Sequence, residues 1–218
     1  MKHLIFVFFI IASCNNSTST NQTAYVDSSK NKSPDTVFNS KNSWLDKLNG
    51  AKYSLPDTIG NRPVSFYLDN PKVAIIAKDF YKGQFRPTDN DSTTLLLSYT
   101  TTTDSTLRPF YRWCLDFTIS ISDGALGEYP GVPALAYATK FPKEFFDYMD
   151  KDTSGQRYIK WTEIIAYSGL VNYNKKESEI ESDIVGKMQN HCYFCGGETK
   201  SRIVTFAQDI TKAIKLQD

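Results

Sequence analysis

The run LRPFYRWCLDFTISISDGALGEYPGVPALAYATKFPKEFF, residues 107–146, and the segment YIKWTEIIAYSGL, residues 158–170, decide how this chain folds. Apolar and aromatic residues recur in them every three or four positions, the spacing of one helix face. Leu107, Phe110, Tyr111, Cys114, Leu115 and Phe117 mark the first face. Asp104 and Ser105 open that helix and Ser122-Asp123-Gly124 closes it. Pro133 and Pro142 sit where first-turn prolines belong, so short helices are expected at 134–139 and 143–149. A fourth, over 158–167, carries Trp161 and ends at Gly169. Two of the three Trp and many of the Phe and Tyr fall here, so this stretch is expected to centre one core.

Working outward, two amphipathic helices finish the chain. One spans 178–189, with Ile180, Ile184, Val185 and Met188 on one face; the other spans 198–216, with Ile203, Phe206, Ala207, Ile210 and Ile214. Upstream, Asp69-Asn70-Pro71 opens a helix carrying Val73, Ile76, Ala77 and Phe80, and Gly83 ends it. Asp91-Ser92 caps another, with Leu95, Leu96, Leu97 and Tyr99. Val64-Ser65-Phe66-Tyr67-Leu68 reads as a short strand. Ser43-Trp44-Leu45-Asp46 opens a short helix and Asn49-Gly50 signals a turn. No fixed internal period marks a solenoid. The expectation is an all-α fold: an irregular bundle of about eight helices over residues 43–218, with at most one minor strand near 64–68.

The first 14 residues read differently. Met1-Lys2-His3 is basic, and LIFVFFII, residues 4–11, is an unbroken apolar run. Eight residues are too few to span a membrane, which takes about 20, and suit a signal segment. Ile11-Ala12-Ser13-Cys14 follows, an apolar residue and two small ones before Cys. This resembles the lipobox of bacterial lipoproteins. The resemblance implies removal of residues 1–13, lipidation of Cys14 and an anchor in the cell envelope. Asn15, where inner-membrane retention looks for Asp, favours the outer membrane. Residues 14–42 hold the Cys and a stretch of Asn, Ser, Thr and Lys too polar to bury a core, expected to act as a flexible tether.

Charge and histidine content exclude several functions. The whole chain carries +1; Lys2 is the one charged side chain of 1–13, so its removal leaves 24 basic and 24 acidic residues. A neutral chain without a basic stripe has no field to gather nucleic acid, so no nucleic-acid partner is expected. Of the two His, His3 lies in the signal, leaving His191. Histidine-based nucleophile systems would depend on that one side chain, and a multi-histidine metal site is excluded. No cofactor and no catalytic residue are assigned.

Three motifs remain. Cys192-Tyr193-Phe194-Cys195 joins the last two helices and offers a disulfide. A C-x-x-C pair also serves thiol exchange or half a metal site, but here it follows a helix and lacks the strand of a thioredoxin-like motif. Asp150, Asp152 and Ser154, with Gly155, match the first half of an EF-hand calcium loop. Trp161 stands where the bidentate Glu is needed. The other reading is a polar turn with Asp152 or Ser154 as a helix cap. Asp123, Glu128, Glu144 and Glu163 are acids within the central stretch, and residues 122–131 form a Gly- and Pro-rich connection suited to a binding loop. The functional expectation is a lipid-anchored envelope protein that binds another envelope protein, as an accessory or protective factor. The alternatives are an envelope enzyme, by thiol exchange or carboxylate hydrolysis, and a weak calcium or small-ligand binder.

Overall fold

Residues 55–170 and 176–217 are described by the computed structural model, so Cys14, the expected tether, the Ser43 helix start and the Asn49-Gly50 turn lie outside the described residues. The described chain enters through a hairpin, β1 (Thr58–Ile59) paired antiparallel with β2 (Arg62–Pro63). Gly60 and Asn61 between them have φ of 58° and 65°, the two positive values of a type I′ turn. Gly60 is also a close approach: a Cβ there would stand 2.5 Å from the Cβ of Pro109.

α1 (Val64–Leu68) follows directly, and this corrects the strand expected at 64–68. The buried residues are Val64 and Tyr67, three apart, where alternation would have buried Val64, Phe66 and Leu68. Tyr67 decides the matter. Its ring stacks on Phe110 at 4.9 Å and its hydroxyl donates to the carbonyl of Ile59 at 3.0 Å. Tertiary packing overrides the β-propensity of the segment.

α2 (Ile75–Tyr81) begins later than Pro71 suggests, because Asn70 Oδ1 accepts from the Lys72 N–H at 2.9 Å and holds a turn first. Gly83, with φ of 69°, ends that segment. α3 (Asp91–Ser98) is capped one residue earlier than expected, by Asn90, whose side chain accepts from the Thr93 N–H at 3.1 Å. Its β-branched tail tightens into a 3-10 turn, Tyr99–Thr101. α4 (Arg108–Ile121), a second 3-10 turn (Gly124–Glu128), α5 (Gly131–Lys140) and α6 (Pro142–Met149) follow. α7 (Gln156–Ile164) runs into a π-helical segment, Ile165–Gly169. α8 (Glu177–Asn190) and α9 (Gly197–Lys215) pair along one another.

Among the described residues the fold is all-α, with nine α-helices and a two-strand sheet. No helix among them is long and apolar enough to cross a membrane. α4 packs on α2, α3 and α7, and α9 packs on α6, α7 and α8. Stretch 107–170 holds the centre of the core. There Trp161 meets Tyr137 at 5.9 Å and Phe145 at 5.8 Å, and Phe145 meets Phe206 of α9 at 4.8 Å.

Candidate functional site

A cavity of about 800 Å³ is an open groove between the end of α4, α7 with its π-helical continuation, and α9. A π-helix inserts one extra residue per turn, and such segments collect at functional sites. Here the cause is a close crossing. A Cβ at Gly131 would stand 2.3 Å from the Gly169 nitrogen and 2.3 Å from Ser168 Oγ. Ser168 Oγ donates to the carbonyl of Gly127 at 2.8 Å and accepts from the Gly131 N–H at 3.2 Å. The hydroxyl thereby pins the 122–131 connection and the start of α5 to the π-helical backbone. Leu126 and Gly127 of that connection are buried, Asp123, Gly124, Ala125 and Glu128 are exposed, and Ser122 lines the groove.

With Ser168 turned inward, its neighbour Tyr167 turns out and lines the groove, 52% exposed. Ile159 and Leu216 add exposed apolar surface, while Lys160, Glu163 and Lys212 supply charge of both signs. Tyr158, also lining it, donates its hydroxyl to Asp209 Oδ2 at 2.7 Å. Burial, then that hydrogen bond to Asp209, pushes the phenol well above its ordinary range, so Tyr158 stays neutral.

The acids separate into different roles. Glu163 faces the groove. Glu144 does not: its Oε2 accepts from Arg108 Nε at 2.8 Å, and its Oε1 accepts from Arg112 Nη1 at 3.1 Å and from the Tyr137 hydroxyl at 3.0 Å. Asp116 forms a second cluster. It accepts from Trp161 Nε1 at 2.6 Å, the Tyr148 hydroxyl at 2.7 Å and Arg157 Nε at 3.3 Å. The Arg112 guanidinium joins the clusters, 4.0 Å from the Tyr148 ring centre. All four carboxylate oxygens already accept hydrogen bonds, and the two clusters brace α4 against α5, α6 and α7. A signal for this was present: Arg108, Arg112 and Asp116 are spaced four apart on the most aromatic helix.

Of the expected calcium ligands, Asp150 engages Arg202 through both oxygens, at 2.6 and 2.9 Å. Asp152 accepts from Ser154 Oγ at 2.6 Å, the Ser154 N–H at 3.1 Å and the Arg157 N–H at 2.7 Å. Those donors, Ser154 first, lower its carboxyl to about 2. Asp152 therefore does the work of a cap for α7, and Gly155, with φ of 71°, makes the turn. Among the described residues no three His, Cys, Asp or Glu gather where they could hold a metal.

Cys192 and Cys195 form a disulfide across a tight turn that the Cys195 N–H closes onto the Cys192 carbonyl at 3.0 Å. Cys192 is buried in the core, and so is the free thiol of Cys114 in α4. Burial pushes the Cys114 thiol well above its ordinary range, which keeps it protonated and inert. Comparison with family models, curated proteins and solved structures finds no match to this chain.

Proposed function

We propose that this chain is a lipid-anchored cell-envelope protein that works by protein contact, with the α4–α7–α9 groove as its docking surface. The observation that carries the reading is the groove itself, whose walls leave Ile159, Tyr167 and Leu216 exposed beside Lys160, Glu163 and Lys212. Apolar anchors within a charged rim are the chemistry that receives an amphipathic segment. The occupant is such a segment from a second envelope protein, carrying both charge signs. The anchor rests on the lipobox-like Ile11-Ala12-Ser13-Cys14.

Two measurements test it. Fatty-acid label is expected on the wild-type chain and absent from Cys14→Ser; label surviving that change defeats the anchor. A photoreactive residue at position 167, in intact cells, is expected to trap one envelope protein in near-stoichiometric yield. Ile159→Glu with Leu216→Glu should abolish the adduct. An adduct indifferent to those changes, or none beyond the chain itself, overturns the docking surface.

A further inference from the structure

The turn between α8 and α9 holds two aromatic rings in water. Tyr193 is 80% exposed and Phe194 is 96% exposed, and the rings meet edge-on at 5.0 Å. Large apolar side chains left this bare call for an explanation. The backbone gives no room for retreat. Both flanking cysteines pack into or against the core, the disulfide ties them, and the Cys195 N–H closes the turn. The rings project from this disulfide-closed turn. Both rings line a hollow of about 490 Å³ together with Lys143, whose Nζ pairs with Asp147 Oδ2 at 2.6 Å.

We propose that Tyr193 and Phe194 form a wedge that enters the interfacial layer of a phospholipid bilayer. A phenol beside a phenyl matches that layer, with the apolar rings against acyl chains and the hydroxyl at headgroup depth. The disulfide removes the ordering cost that a flexible loop would carry on insertion. The inference rests on the proposed anchoring at Cys14, which keeps the domain at a bilayer; the 41 positions from Cys14 to Leu55 permit a reach of up to about 140 Å.

The test places a photoreactive phenylalanine analogue at position 194 of the full-length chain, mixed with vesicles of phosphatidylethanolamine and phosphatidylglycerol. Mass spectrometry is expected to find phospholipid adducts at 194 and a loss of that signal at control positions 167 and 204. With the analogue at 193, Phe194→Asp should reduce the lipid adduct several-fold while helical circular dichroism is unchanged. No lipid adduct at 194, equal adducts at all three positions, or a protein adduct in its place in intact cells overturns the wedge. Fatty-acid labelling of Cys14 is read separately, so failure of the anchor and failure of the wedge are distinguishable.

Discussion

Arg112 is a buried cation held by one carboxylate, one phenol and the face of a second phenol ring. Its Nε is buried without a hydrogen-bond partner. Such a group tolerates little further loss, because an uncompensated charge in the interior is far costlier than the pair is favourable. Glu144→Gln removes the negative charge that Arg108 and Arg112 share, and is expected to cost about 3 kcal/mol in urea unfolding. Combining it with Arg112→Met should recover part of that loss, since the orphaned charge goes with it. The four-residue spacing of Arg108, Arg112 and Asp116 was legible in the sequence. Their partners were not, because Glu144, Tyr148 and Trp161 come from two other helices whose placement no local pattern encodes. Asp152 was legible as either a ligand or a cap; Ser154 and Arg157, which donate to it, occupy it as a cap.

At the scale of elements, capping residues and helical spacing located the helices of the carboxy-terminal half to within a few residues. Gly and Pro punctuate that half, and the predicted faces meet in one core. The 58–68 region was harder. Gly60-Asn61 is a hairpin signal in the sequence, but the tyrosine hydroxyl that turns 64–68 into a helix finds its acceptor on the preceding strand. The π-helical segment had no signature in its own residues, because its cause lies 37 positions away, at the Gly131 N–H that donates to Ser168 Oγ. Two glycines therefore behave in opposite ways. Gly131→Ala drives a Cβ to 2.3 Å from the Gly169 nitrogen, and should lower stability by about 3 kcal/mol. Gly186→Ala, in α8 with open space around it, should raise stability by about 0.5–1 kcal/mol. Paired thermal melts of the two variants check both signs.

Among the described residues, phenols buried in or against the core set the alkaline limit. Burial raises the phenols of Tyr67, Tyr81, Tyr111, Tyr137, Tyr148 and Tyr158 above their ordinary value of 10.0. Their neutral forms are favoured in the folded state. The linked stability is present in full below about pH 10 and is lost as pH rises beyond it. Tyrosinate absorbance and circular dichroism are expected to change together in one steep alkaline step; gradual ionisation of the whole set ahead of any loss of helix would contradict this.

The same economy of placement governs the sulfurs. Apart from Cys14, three thiols permit three pairings, two of them wrong. Cys192 and Cys195 are three positions apart, whereas joining either to Cys114 would close a loop of about eighty residues. The short closure meets its partner soonest, and once α4 is packed the odd thiol is out of reach of any oxidant. Fidelity of pairing is thus written into spacing and burial, and the chain needs no editing of its bonds to reach the right one.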